Sequence, residues 1–292
     1  MQIDEMHQGG TNVPVTRFSD VQLFRPSTED GVIRYAAPLG RGIDLEAIQV
    51  NRRSDVLVVG FHGALTRETT ELPRFERMAT LLGSGHSLLF FSDPTLRLAD
   101  NLQLAWYTGW SELDIRFILA DWAVKAAEAV GAEHIIFTGG SGGGFAALQV
   151  SAFVPDSLAL AFNPQTIISK YLVEGKYMGP QQRYVKVVMP EFSPVPPEKL
   201  TPAHDWASPL GERVAVPLTY TRPLENRVLY IQNSNDSSHM TDHYKPFRQV
   251  AESGPNASRI RFDLYEGPHA HVAQNQQVMD RGLAAAIDWL RP

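Results

Sequence analysis

The stretch His134–Phe153 reads HIIFTGGSGGGFAALQVSAF. An apolar strand, HIIFT, leads into a glycine-rich turn, and the turn leads into a segment with the composition of a buried helix. The turn, Gly139-Gly140-Ser141-Gly142-Gly143, satisfies G-x-S-x-G in the strand-turn-helix setting that this motif requires. A serine on such a turn has a strained backbone, so Gly139 and Gly143 are needed where a Cβ would collide with the strand or the helix. The pattern predicts that Ser141 is a nucleophile.

Outward from this turn, apolar strands alternate with helices. The predicted strands of this kind are Asp55–Gly60, His86–Phe91, Leu158–Phe162, Arg227–Gln232 and Arg259–Tyr265. The predicted helices are Glu71–Leu82, Ser111–Val130 with Ser111 as N-cap and Asp114 at N3, a segment near His243–Glu252, and Val278–Leu290. This alternation predicts an α/β protein with a mostly parallel central sheet and helices on both faces.

Two regions depart from the alternation. The segments Val21–Phe24, Gly31–Ala37 and Ile43–Val50 are expected to form short antiparallel strands at the leading edge of the sheet. Residues 163–224 are rich in proline and lack long periodic stretches, so we interpret them as an inserted cap or lid. Residues 1–292 are therefore predicted to form a single domain that contains this insertion.

Composition excludes several classes of function. With a net charge of −6 and no run of Lys and Arg, the chain is not expected to bind nucleic acid. The absence of Cys excludes disulfides, thiolate metal sites and cysteine nucleophiles. The start, MQIDEMHQGG, does not resemble a signal peptide, and no run of about 18 apolar residues could span a bilayer. We therefore expect a cytoplasmic protein without a membrane span, and its oligomeric state stays open.

Backbone amides near Ser141 are candidates for an oxyanion hole. The amide of Gly142 lies at a predicted helix N-terminus, where it could donate to the negative oxygen that forms when Ser141 attacks an acyl carbon. The strand Asp55–Gly60 leads into Phe61-His62-Gly63-Ala64, so a second donor is expected from the amide of Gly63 or Ala64.

From about Asp55 to its C-terminus, the chain resembles the α/β-hydrolase superfamily, through the turn at Ser141 and the H-G turn at His62. The resemblance implies an acidic residue after the strand that follows the cap, which is Asp236 by position, although Asp205 or Asp242 could serve instead. It also implies a histidine after the last strand, where His269 and His271 are both candidates. In this family the acid orients the histidine, and the histidine activates the serine.

A looser resemblance concerns the segments GGSGGGFAAL, SDP, AWY and NPQ taken together. In this respect the chain is similar to acyl-modifying hydrolase-like proteins that accompany bacterial surface-glycan and accessory secretion systems. That likeness implies transfer of an acyl group to a sugar hydroxyl, or its removal from one.

Other residues near the expected site have two readings each. His62, Asp93, Trp106 and Tyr107 are candidates for substrate contact. His62 could instead order the oxyanion loop, Asp93 could be a turn residue, and the aromatic residues, with Trp110, could fill the core. No metal site is expected, because the histidines and acids lack a ligand spacing such as H-E-x-x-H. Nucleotide binding is not expected either, because no G-x-x-x-x-G-K-[ST] occurs and the strand LALAF ends at Asn163 rather than at an acid.

These observations predict a serine hydrolase that removes acyl groups from a small-molecule or glycan ester through an acyl-enzyme on Ser141, without a cofactor. One alternative is an O-acyltransferase or acetyltransferase acting on a sugar hydroxyl, since it would share the first half of the reaction. Another is a catalytically inactive binding module that keeps only the fold.

Overall fold

A computed structural model describes residues 1–7, 9–171 and 178–291 of the chain. Within these residues nine strands form one sheet. They are β1 Val15–Arg17, β2 Gly31–Gly40, β3 Ile43–Asn51, β4 Val56–Phe61, β5 Ser87–Ser92, β6 His134–Gly140, β7 Leu158–Phe162, β8 Arg227–Asn233 and β9 Ile260–Tyr265.

The sheet has the order β1-β2-β3-β5-β4-β6-β7-β8-β9. The six strands from β5 to β9 in this order are parallel to one another, whereas β3 runs antiparallel to both β2 and β5. Every residue of β4, β5 and β7 is buried, as expected for parallel strands covered on both faces. The predicted fold class and the antiparallel pair near the N-terminus are thus confirmed.

Helices cover both faces of the sheet. The α-helices are α1 Met78–Leu82, α2 Arg116–Val130, α3 Gly142–Ser151, α4 Gly179–Val188, α5 Val216–Thr219, α6 Ser237–His239, α7 Lys245–Ser253 and α8 Gln276–Leu290. A short π-helical segment, Met240–Tyr244, joins α6 to α7. One face packs under α2 and α3 around Trp122 and Phe137, and the opposite face packs under α1 and α8 around Phe162 and Met279.

The helix predicted from Ser111 begins later, at Arg116, so that prediction was wrong by one turn. The Ser111 hydroxyl donates to the carbonyl oxygen of Val188 instead of capping a helix. The Asp114 carboxylate forms an ion pair with the buried guanidinium of Arg116 at 2.6 Å. Ser111 is thus held by a tertiary contact that sequence spacing does not reveal, whereas the ion pair of Asp114 is local.

Two further boundaries differ from the prediction. Of the helix expected over Glu71–Leu82, only α1 is formed, and the residue before it, Arg77, has a left-handed backbone (φ 62°) that interrupts a right-handed helix. The expected strand at Val21–Phe24 is a 3₁₀ turn over Val21–Leu23, which Asp20 caps by accepting from the amide of Gln22. The chain adds β1 at the sheet edge instead, parallel to β2.

The region predicted as a cap, residues 163–224, connects β7 to β8. Residues 172–177 of this region lie outside the described residues. The described part contains α4, α5 and several 3₁₀ turns, and it packs on the main body through Tyr184 and Trp206. The Tyr184 ring meets the Trp106 ring edge-on at 5.2 Å. This packing places α4 near the carboxyl ends of the central strands.

Among the described residues, we find no helix with both the length and the apolar character needed to cross a bilayer.

Candidate functional site

The site lies at the carboxyl ends of the central parallel strands. Strand β4 has β5 on one side and β6 on the other, so the chain changes direction across the sheet at this point. Open α/β sheets bind their ligands in the crevice outside such a switch point. The loops after β4, β5, β6, β7, β8 and β9 supply the residues described below.

Ser141 occupies the sharp turn between β6 and α3, with φ 55° and ψ −119°. A Cβ added to Gly139 would lie 2.4 Å from the backbone of Gly143, and one added to Gly143 would lie 2.4 Å from the carbonyl oxygen of Phe61. Glycine at both positions therefore allows β4, β6 and α3 to approach closely enough to hold the strained serine.

Ser141, His271 and Asp236 form a continuous chain of hydrogen bonds. The Oγ of Ser141 lies 2.9 Å from Nε2 of His271, and Nδ1 of His271 lies 2.8 Å from Oδ2 of Asp236. His269 is exposed, two residues away, and it belongs to no such chain in the described part of the protein. Asp205 is also exposed, where its carboxylate accepts from the amides of the turn that follows it. Of the alternatives left open by the sequence, the geometry groups Asp236 and His271 with Ser141.

The Asp236 carboxylate is buried at the start of α6. Its Oδ1 accepts from the amide of His239 and from the hydroxyl of Ser238. Burial alone would raise the pKa of Asp236, but the adjacent imidazoles of His239 and His271 outweigh burial and hold this pKa well below its usual value. Asp236 is therefore ionised at neutral pH and favours a proton on the Nδ1 of His271.

A second imidazole, that of His239, lies flat on the ring of His271, with centroids 3.7 Å apart and planes within 1° of parallel. Its Nδ1 is 3.2 Å from Oδ2 of Asp236, yet neither ring nitrogen has a hydrogen-bond partner in the described chain. Burial lowers the pKa of His239, although the Asp236 carboxylate opposes this shift. The sequence analysis did not select His239, and its only signal was a histidine three residues after Asp236.

Asp236, His239 and His271 are also a set of metal-ligand side chains gathered in one place. An ion bound by both imidazoles would have to lie about 2.0–2.1 Å from a nitrogen of each, in the plane of each ring. The two rings are stacked in parallel planes, so their lone pairs do not converge on a common point. This arrangement suits a hydrogen-bonded chain better than a metal centre.

The candidate oxyanion amides differ in their surroundings. Gly142 is the first residue of α3, and its amide has no acceptor among the described residues. The amide of Gly63 donates to a carboxylate oxygen of Glu76 at 3.2 Å. The amide of Ala64 lacks an acceptor in the same described part of the chain. Gly142 and Ala64 therefore offer unused donors, whereas Gly63 would have to release Glu76.

Gln165 is a second residue that the sequence analysis did not select, although it stands in the quoted NPQ segment after β7. Its Nε2 donates to the Oγ of Ser141 at 2.9 Å, and its Oε1 accepts from the indole N–H of Trp106. Gln165 and Trp106 are both buried. Trp106 thus orients the amide that contacts Ser141.

His62, Asp93 and Tyr107 form a buried network behind the site. The Nδ1–H of His62 donates to the carbonyl oxygen of Gly63, and its Nε2 accepts from the amide of Asp93. The Asp93 carboxylate accepts from the amide of Tyr107, and the Tyr107 hydroxyl accepts from the amide of His62. Burial raises the pKa of Asp93. None of the four candidates for substrate contact, Trp106 included, lines the cavity at Ser141. The geometry matches their alternative, structural reading.

The cavity that opens at Ser141 has a volume of about 210 Å³. Its wall combines apolar groups, such as Val272 and Phe162, with the polar side chains of Asn163 and Gln274. Glu76 and Arg77 add one negative and one positive charge. A small organic molecule with both apolar and polar parts fits such a wall.

No family model and no curated protein matches this sequence. Solved structures do match it. The capsule O-acetyltransferase of Neisseria meningitidis serogroup A is 11% identical with a TM-score of 0.55, over 87% of this chain and 97% of that one. Carboxyl esterase 2 of Tuber melanosporum is 14% identical with a TM-score of 0.54, over 94% and 89%. An esterase of Pyrococcus furiosus is 13% identical with a TM-score of 0.51, over 94% and 98%.

Proposed function

Because the chain has the α/β-hydrolase fold, we propose that it is a serine hydrolase that cleaves carboxylic esters through an acyl-enzyme on Ser141. The hydrogen-bonded chain from Ser141 through His271 to Asp236 carries this proposal, because it opens onto a cavity. A buried serine with only structural hydrogen bonds would not need an imidazole oriented by a carboxylate.

In the first half of the reaction, Oγ of Ser141 attacks the acyl carbon while Nε2 of His271 accepts the hydroxyl proton. The Asp236 carboxylate stabilises the resulting imidazolium. The oxygen of the tetrahedral intermediate is bound by the amides of Gly142 and Ala64. The imidazolium then protonates the leaving alcohol, and the acyl group remains on Ser141.

In the second half, water attacks the acyl-enzyme while His271 accepts a proton from it, and His271 then returns this proton to Oγ of Ser141 as the carboxylic acid leaves. If a sugar hydroxyl took the place of water, the same steps would transfer the acyl group instead. The described part of residues 163–224 lies near the cavity through Tyr171 and is the region that would admit or exclude such an acceptor.

The test is labelling by a fluorophosphonate probe, which reacts with activated serines. We expect labelling of the wild-type protein and none of Ser141→Ala. Ser111→Ala is a matched control, because Ser111 lies far along the chain and bonds to Val188. Unchanged labelling of Ser141→Ala in a folded protein would contradict the proposal, and so would a wild-type protein that reacts with no activated ester.

The choice of histidine has a separate test. His271→Ala is expected to lower ester kcat by about 10⁴-fold or more, as removal of the base does in other serine hydrolases. His269→Ala should leave kcat nearly unchanged, because that side chain is exposed. The reverse outcome would move the role of base to His269.

Hydrolysis and transfer are distinguished by following release of the acyl group from 4-nitrophenyl acetate with and without a sugar acceptor. A hydrolase releases acetate to water at the same rate in both cases. Faster turnover with the acceptor, together with an acetylated sugar, would favour the transferase.

A further inference from the structure

Arg77 brings a positive charge into the cavity beside Ser141. It is the residue before α1, and its backbone has φ 62°, a left-handed conformation that is unfavourable for a residue with a Cβ. Its guanidinium lies 3.3 Å from Oε1 and 3.5 Å from the carbonyl oxygen of Gln274. Both residues line the cavity. The chain thus holds a long, charged side chain at the wall of the site in spite of the local backbone cost.

This charge has no ionic partner in the part of the chain that the structure describes, since no carboxylate lies within 4.0 Å of its nitrogens. The neighbouring carboxylate of Glu76 accepts from the amide of Gly63 instead. An arginine has five N–H donors, and the contacts with Gln274 are two long hydrogen bonds. Nε, the one nitrogen of this guanidinium without a hydrogen bond, is not among the buried, unpartnered atoms of the described residues, so it is accessible, and Arg77 lines the cavity.

The position of Arg77 indicates which part of an ester it would meet. Gln274 follows His271 by three residues, and its Oε1 is 3.3 Å from the point that a Cβ of Gly140 would occupy. Through Gln274, the guanidinium is thus held against the loop that carries His271. The leaving alcohol must lie next to this loop too, because His271 has to protonate it.

The wall of the site at Gly142 is apolar. Leu104 lies against Gly142, where an added Cβ would be 2.4 Å from its Cδ1. Leu104 also lines a second cavity of about 80 Å³ that borders Ala64 and Tyr171. Arg183 lines this second cavity as well, where its guanidinium donates to the carbonyl oxygen of Asn101 and to Oε1 of Gln103. The small volume offers room for a short acyl group.

We infer that the preferred substrate is an ester of a short acyl group with an alcohol that carries an anionic group, a carboxylate or a phosphate, and that Arg77 binds this group. The planar guanidinium can donate two parallel hydrogen bonds to either anion. The inference rests on the proposed function, since it assigns the substrate class of the same site.

The experiment compares three acetyl esters of one phenol ring: 3-acetoxybenzoate, its methyl ester, and 3-acetoxyphenyl phosphate. The acyl group is the same in all three, and only the charge on the leaving alcohol changes. For the wild-type protein we expect kcat/KM to be about 10- to 100-fold higher for at least one anionic ester than for the methyl ester, the effect of a charged hydrogen bond. The two anionic esters distinguish recognition of a carboxylate from recognition of a phosphate.

In Arg77→Met the ratio of kcat/KM for the anionic ester to kcat/KM for the methyl ester should fall to about threefold or less. Arg74→Met is the matched control, because Arg74 is exposed, lies on the same segment and does not line the cavity. A wild-type protein without any preference for an anionic ester, or an equal preference in Arg77→Met, would overturn the inference.

Failure of the proposed function gives a different result, because then neither the anionic nor the neutral ester is hydrolysed and Ser141 is not labelled. Binding still tests the inference in that case. Calorimetry with Ser141→Ala should detect 3-acetoxybenzoate or the phosphate ester binding more tightly than the methyl ester. Loss of this difference in Ser141→Ala/Arg77→Met supports a role of Arg77, and its persistence contradicts that role.

Discussion

The imidazole of His239 is stacked on that of His271, with ring centroids 3.7 Å apart. His271 also forms hydrogen bonds to Asp236 and Ser141, so both of its ring nitrogens and one face of its ring have a fixed neighbour. The imidazole of His239 is buried, and neither of its ring nitrogens has a hydrogen-bond partner among the described residues. What it supplies to His271 is a flat, neutral surface, and this makes it a positioning residue in the proposed reaction.

Replacing His239 by Phe and by Ala should separate the flat surface from the imidazole chemistry. Phe keeps a stacked ring, so kcat for a neutral ester is expected to stay within a few-fold of wild type. Ala removes the surface and lets His271 turn, so kcat should fall by about 10-fold or more while KM changes less. Equal losses in both variants would show that a nitrogen of His239 matters, against this interpretation.

Acid should destabilise the protein through His239 and His243. Burial lowers the pKa of both side chains below the ordinary 6.5, and for His239 the Asp236 carboxylate offsets only part of this. The unfolded chain therefore binds protons below pH 6.5 that the folded chain does not. The free energy of unfolding is therefore higher above that pH and falls on acidification, by up to about 1.4 kcal/mol per histidine between pH 7.5 and 5.5.

Urea unfolding at these two pH values measures this loss, and His239→Phe should show a smaller loss than wild type. The charged groups that act on this pair are Asp236 and Asp242, which favour protonation, and His271 and Lys170, which oppose it. Asp236 does not contribute to the change in this window, because the stability that its lowered pKa provides is lost only below about pH 4. A free energy of unfolding that is constant or higher at pH 5.5 would contradict the prediction.

Glu76→Gln is expected to increase ester kcat/KM by about 3- to 10-fold. The carboxylate of Glu76 lies on the amide of Gly63, next to the amide of Ala64 where the oxyanion is proposed to form. Gln keeps an oxygen to accept from Gly63 but removes a negative charge that repels the developing oxyanion. Glu68→Gln, on the same loop and exposed, is the control. A slower enzyme would mean that the charge of Glu76 is needed, for example to hold the loop.

Gly143→Ala should destabilise the protein by about 3 kcal/mol or more, because the new Cβ would lie 2.4 Å from the backbone oxygen of Phe61 and β4 would have to move. Gly83→Ala is the matched control, since its Cβ would meet nothing closer than 3.7 Å. Thermal unfolding of the two variants measures the difference. Similar melting temperatures would show that β4 and α3 can separate at little cost.

The strands were predicted well because their signal is local. A buried parallel strand such as β7 is apolar at every position, and its bounds, Leu158–Phe162, are those expected from the sequence. Helix starts were predicted less well, because the side chains that mark them can bond elsewhere. Asp114 has the spacing expected at a helix start, yet its carboxylate forms an ion pair with Arg116. The sequence alone is compatible with either role, helix capping or ion pairing.

The residues of the candidate site also fall into two groups, those that a local sequence pattern predicts and those that it does not. The motif around Ser141 was visible because a strained turn needs glycine at fixed positions. Gln165 and His239 had no such signal, since each acts across space on a residue 24 or 32 positions away. An unpaired Arg77 in the cavity was equally invisible, because exposure and lack of an ionic partner are properties of the folded chain.

The sequence by itself determined the alternating α/β architecture and the glycine turn that carries Ser141, because apolar periodicity and backbone sterics act between residues close together in the chain. Only the tertiary structure decided that His271, and not His269, lies beside Ser141, and that Glu76 and Arg77 enter the same cavity. The two histidines are separated by a single residue in a loop, and which ring points inward depends on how β8, β9 and the loops after them pack, which no short stretch of sequence contains.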